Sequence, residues 1–133
     1  MNRFRLKAGQ WTDDSAMALC LADSLITHSN MIGVDFRSRL LTWWYGGYNN
    51  AFRFDNSRHD AGSVGLGGNI SQSFMEFIDQ YEMNEMQDCT KAGHPSNTNG
   101  NGSIIRNAPV PVFFSLLPPD DQLFYHMAEF SRK

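Results

Sequence analysis

An all-α chain is what this sequence predicts, with two Gly- and Asn-rich loops that look functional. Three observations carry that reading. Apolar residues recur three and four apart over several stretches, which is the helical repeat. Helix-opening residues stand at the head of those stretches, as in Thr12-Asp13-Asp14. Alternation of the β type is confined to the short run Phe4-Arg5-Leu6-Lys7.

The first helix is expected over 13–28, with Met17, Leu21 and Leu25 as its stripe and Ala18, Ala22 and Ile26 beside them. A second should begin at Asp35, bury Phe36, Leu40, Trp43 and Trp44, and stop at Gly46-Gly47, where glycine makes continuation costly. Residues 46–69 read as loop, punctuated by Gly, Asn and Asp. A third helix is expected from about Ile70 to Met86, capped by Asn69 or Ser71, with Ile70, Phe74, Phe77, Ile78 and Tyr81 on one face. Glu76, Glu82 and Glu85 fall on its solvated side. The stretch 87–103 is polar and rich in turn-formers. Beyond it a helix starts near Ser103, is interrupted by Pro109 and Pro111, and is followed by a last one opened by Pro118-Pro119-Asp120-Asp121.

At 133 residues, with 41% apolar residues, 10 Phe and 3 Trp, the chain is of single-domain size and has ample material for a core. Its net charge of −3 offers no general attraction to nucleic acid or to an anionic membrane, and no apolar run approaches a membrane span. The expectation is a soluble cytoplasmic protein. Cys20 lies in an apolar helical run and reads as a small buried thiol, with no CxxC pair to build a zinc site. His28, His59, His94 and His126 show no metal-ligand spacing.

Two kinds of chemistry suit the Thr12-Asp13-Asp14 run. Its oxygens can accept hydrogen bonds from the free N–H groups of a helix start, and its acids complement the helix dipole. Adjacent hydroxyl and carboxylate oxygens also suit a hard cation. The run "GLGGN", 65–69, is either a tight turn or a phosphate cradle, but it lacks the Lys-Ser/Thr ending of a nucleotide loop. "NGNGSIIR", 99–106, has the same logic, with Ser103 and the first N–H groups of a helix facing a ligand and Arg106 one turn on. Arg106 is expected to anchor neighbouring loops through its guanidinium.

Taken in order, "GQWTDDSAMALCLADSLI", "GGYNNAFRFD", "SVGLGGNISQS" and "NGNGSIIRNAPVPVF" resemble the ADP-ribosylglycohydrolase family, which includes the dinitrogenase reductase-activating glycohydrolase and the ADP-ribosyl-acceptor hydrolases. The resemblance runs from about Gly9 to Pro111. It implies that this all-α chain is a fragment of a larger compact orthogonal helical domain with Gly/Asn-rich ligand-facing loops. It also implies a hydrolase that removes ADP-ribose from modified protein side chains or related ADP-ribosyl compounds. Thr12, Asp13 and Asp14 become ligands of a pair of divalent cations, magnesium or manganese, and Asp13 also approaches the substrate ribose. Gly100, Asn101, Gly102 and Ser103 become contacts to the ADP-ribose diphosphate.

The same resemblance implies parts absent from this sequence: an acidic residue near the reacting bond ahead of Gly9, a second Asp-x-Asp-Thr metal block, and a Thr-His pair. Residues 1–133 are therefore expected to be a partial domain, weakly active or inactive alone and exposing apolar patches, with the catalytic residue unassigned. The alternative expectation is a relative that binds ADP-ribose without turnover or serves a structural role, as lens crystallins of this family do. A third is a small helical interaction domain indifferent to magnesium.

Overall fold

A computed structural model describes residues 3–82 and 102–116, the side chains of Glu82 and Ser103 excepted. Five helical segments make up its regular structure: α1 (Asp13–His28), α2 (Gly33–Gly46), α3 (Gly68–Glu82), α4 (Gly102–Ile105) and α5 (Pro109–Ser115). No strand occurs among the described residues. Phe4–Lys7 is not one, because Arg5 takes a left-handed φ of 54° that breaks extended backbone.

Helix α1 is the axis of the molecule, and α2, α4 and α5 all pack on it while α3 packs on α2. Its buried stripe is Ala16, Met17, Cys20, Leu21, Ser24 and Leu25. Ile26 is not part of it and stands 74% exposed. One residue past Leu25 the helix has turned about 100°, which carries that side chain off the core face. Cys20 is the small buried thiol expected from the sequence, and burial is the main cause that pushes its pKa up to about 11. Cys89 lies outside the described residues.

Helix α2 begins two residues earlier than its acid suggested. Asp35 is inside the first turn, where Arg39 Nε donates to it at 2.7 Å and His28 Nε2 lies at 3.4 Å. Burial pushes the Asp35 pKa up, but the hydrogen bonds from Arg39 and its neighbours outweigh that and hold it low. Phe36, Leu40 and Trp43 are buried, and Trp44 packs on the core at 5.6 Å from the Trp43 ring. The stop at Gly46-Gly47 is as expected. Gly47 takes φ 72°, its N–H donates to the Trp43 carbonyl at 3.1 Å, and the Tyr48 N–H reaches the Thr42 carbonyl at 3.2 Å. That pair of bonds satisfies carbonyls the helix would otherwise leave open.

Helix α3 starts at Gly68, ahead of the expected Ile70. The Ser71 N–H bonds to the Gly67 carbonyl at 3.0 Å, so Gly67 rather than Asn69 or Ser71 holds the cap position. Phe74 and Phe77 are buried, whereas Tyr81, expected on the same face, is 67% exposed. The interrupted helix of the sequence is two helices: α4 ends at Ile105, and α5 restarts with Pro109 in its first turn, where a missing N–H costs nothing. Val110 and Phe114 of α5 enter the core, while Ile104, Val112 and Leu116 are exposed. The segment opened by Pro118-Pro119 lies outside the described residues.

Trp43 and Ile26 separate core from surface. Trp43→Ala should cost about 3–5 kcal/mol of unfolding free energy, and Ile26→Ala no more than about 0.5 kcal/mol, both read from urea denaturation.

Candidate functional site

The amino end of α1 gathers the residues the sequence singled out. Thr12 occupies the N-cap position with extended backbone, φ −116° and ψ −153°, and its carbonyl accepts from the Ala16 N–H at 3.1 Å. Its hydroxyl makes no capping hydrogen bond. Asp13 and Asp14 form the first turn, where the helix dipole favours negative charge. All three are half-buried.

The approach to this turn is tied down on both sides. Trp11 Nε1 donates to the Asn49 carbonyl at 3.0 Å. Asp55 accepts from Lys7 Nζ at 2.8 Å and from Gln10 Nε2 at 2.8 Å, and the Ser57 hydroxyl joins them, so its pKa is held far below the usual carboxylate range, the Lys7 contact leading. Inside, Asn50 is buried at 8% exposure. Its Nδ2 donates to the Ala61 carbonyl at 2.9 Å and to Ser63 Oγ at 3.1 Å, and its Oδ1 accepts from the Phe52 N–H at 2.7 Å. Ser63 Oγ in turn donates to the Trp43 carbonyl at 2.5 Å. These bonds lock the 47–55 loop, the 61–65 loop and the end of α2 together. Beside Thr12, the residues Trp11, Trp43, Asn50, Phe52 and Val64 close up with no room for a water molecule between them, so this contact backs the site as packing rather than forming a ligand pocket.

Two glycine loops flank the two acids. Gly65, φ +95°, passes so near Asp13 that a Cβ there would overlap its carboxylate. Gly102 opens α4 on the other side, and an ideal Cβ built on it would lie 4.0 Å from Asp14 Oδ1. The Arg106 N–H bonds back to the Gly102 carbonyl at 3.1 Å, which places Arg106 one turn along the same short helix. Its half-buried guanidinium has its pKa lowered by burial, with the Asp14 charge opposing. For Asp14 burial raises the pKa, the Asp13 charge raises it further, and Arg106 pulls it down. Arg106 thus acts electrostatically on Asp14; the loop ahead of α4 that it was expected to anchor lies outside the described residues.

Of the residues proposed from the sequence, Thr12, Asp13, Asp14 and Gly102 come together. Gly100 and Asn101 lie outside the described residues, as does the Ser103 side chain. Gly65 and the clasp residues Tyr48, Asn49 and Asn50 received no individual role from the sequence. The signal for Gly65 was its position in a glycine-dense run ahead of a helix. The donor set is a hydroxyl and two carboxylates, hard oxygen chemistry, and Asp14 carries repulsion from Asp13 that Arg106 opposes in part. Among the described residues no group of three or more His, Cys, Asp or Glu converges. By donor chemistry Thr12, Asp13 and Asp14 suit a hard cation, but these three side chains supply about half of the six oxygens magnesium takes. No helix among the described residues is long and apolar enough to cross a membrane.

The sequence pattern of the ADP-ribosylglycohydrolase family matches residues 1–132. The ADP-ribosylarginine hydrolase Tri1 of Pseudomonas putida (strain GB-1) is 32% identical over 114 residues, covering 83% of this chain and 26% of that protein. Tri1 of Serratia proteamaculans (strain 568) is 33% identical over 111 residues, again 83% of this chain and 26% of the relative. The chain spans about a quarter of the length of these curated relatives. It belongs to the ADP-ribosylglycohydrolase family.

A raised pKa at Asp14 has a definite sign. The folded chain holds that proton more readily than the unfolded chain, so ionising Asp14 lowers stability as pH climbs through the folded pKa. In EDTA, the urea midpoint of Asp14→Asn should gain on that of wild type between about pH 3 and pH 7. Constant or narrowing separation over that range would contradict the electrostatic description.

Proposed function

We propose that this family member carries part of the active site of an ADP-ribosyl hydrolase acting on ADP-ribosylated arginine, the substrate its relatives' names give. The observation that carries the reading is the convergence of two motif blocks far apart in sequence. Thr12-Asp13-Asp14 opens α1, and the Gly102 turn meets it beside Asp14.

In this reading Thr12, Asp13 and Asp14 hold divalent cations, magnesium or manganese, from one side. The chemistry such ions supply when bound is orientation of the ribose hydroxyls and polarisation of the glycosidic bond. Asp13 would also accept a hydrogen bond from a ribose hydroxyl. The Thr12 hydroxyl is not spent on capping α1, which supports this reading. Gly100, Asn101, Gly102 and Ser103 would offer backbone N–H groups to the diphosphate, and the start of a helix backed by the Arg106 cation suits an anion. No residue of this chain is assigned the activation of water.

Two measurements test this. The chain should bind Mn²⁺ in calorimetry, and Asp13→Asn or Asp14→Asn should each weaken it by at least about 10-fold, as loss of a carboxylate donor does. With Mg²⁺ present, ADP-ribosylarginine should bind and release ADP-ribose slowly. Binding without release would favour a non-catalytic relative, and absence of both cation and substrate binding would overturn the reading.

A further inference from the structure

Among the glycines of the 62–68 stretch, Gly65 makes two independent demands. Its φ of +95° lies in the region that L side chains avoid. Its missing Cβ leaves the space that the Asp13 carboxylate fills. Its neighbours differ: a Cβ on Gly67 or Gly68 would meet nothing within 4 Å, and neither has a positive φ. On the opposite flank Gly102 leaves ordinary van der Waals room beside Asp14. The contact is therefore specific to one loop glycine and one acid.

Neither partner is free to withdraw. Upstream of Gly65, Ser63 is held by the Trp43 carbonyl and by Asn50. Downstream, the Gly67 carbonyl accepts the Ser71 N–H, and α3 is anchored by the buried Phe74 and Phe77. Asp13 belongs to a helix fixed by Ala16, Met17 and Cys20, each at most 2% exposed, and by the Trp11 hydrogen bond just ahead of it. With both backbones anchored, the carboxylate itself is what a side chain at position 65 would displace.

We propose that Gly65 is a positioning residue for Asp13: its bare backbone is the wall that sets where the carboxylate rests, and through it the cation affinity of the acid pair. This role rests on the cation-binding reading of Asp13 given above. It makes the glycine run a gauge for the acid, whatever else that loop contacts.

The test uses the 133-residue chain as Gly65→Ala, with Gly67→Ala as the control and Asp13→Ala/Gly65→Ala as the double variant. Mn²⁺ affinity by calorimetry should fall about 10- to 100-fold in Gly65→Ala, the loss typical when a ligand's support is removed, and should hold in Gly67→Ala. Thermal melts supply a readout independent of metal. The drop in Tm caused by Gly65→Ala should shrink in the Asp13→Ala background, because the overlapped carboxylate is gone and only the φ strain persists. If Gly65→Ala alone does not fold, recovery of a cooperative melt in the double variant reports the same coupling. Additive Tm losses, or wild-type Mn²⁺ affinity in Gly65→Ala, would overturn the positioning role alone. A wild-type chain that binds no Mn²⁺ would instead overturn the reading of the site, and this role with it.

Discussion

Asn50 is buried between two loops with little regular structure of their own, and its side-chain amide joins them. One face of that amide donates to the Ala61 carbonyl and to Ser63, and the other accepts from the Phe52 N–H. Buried amides that satisfy both ends rigidify what they connect, whereas a half-satisfied one would cost the loop its place. Since the Ser63 end of this network leads two residues on to Gly65, the amide also determines where the wall beside Asp13 stands. The wall beside Asp13 thus leans on a hydrogen bond in which Asp13 itself takes no part.

The two residues before Asn50 extend the same clasp to the far side of α1. Tyr48 OH donates to Asp23 at 2.7 Å, Asn49 Nδ2 donates to the same oxygen at 2.8 Å, and Arg39 Nη1 reaches the phenol at 3.1 Å. The bond to Asp23, followed by burial, raises the Tyr48 pKa. Asn49 adopts a φ of 54° to make this possible, a conformation Asn tolerates better than most residues. The Tyr-Asn-Asn triplet therefore works as scaffold: it fixes α1 to α2 and to both loops, and the acids at the head of α1 come into position as a consequence.

At the acid pair itself several electrostatic effects compete. The helix terminus favours negative charge, while burial and the Asp13 charge work against ionised Asp14 and Arg106 offsets part of that. Two carboxylates at one helix start, with the Arg106 cation one helical turn behind Gly102, leave the Asp14 charge only partly compensated. A helix cap alone requires none of that arrangement, since one side-chain oxygen would serve.

The sequence by itself determined the helices whose cores repeat at helical spacing, the Gly46-Gly47 stop, the break at Pro109 and the acids at the head of α1. Each follows from local chemistry: backbone freedom at glycine, the missing N–H of proline, the alternation of apolar and polar positions. It also carried the family resemblance, because motif blocks keep their order in the chain. Tertiary structure alone decided that Ile26 and Tyr81 face outward, that Thr12 leaves its hydroxyl out of the cap, and that the Arg106 charge acts on Asp14. It alone placed Gly65 against Asp13. Those outcomes depend on which surfaces meet across long sequence separations, and a one-dimensional pattern of residue types contains the demand for a partner but not its address.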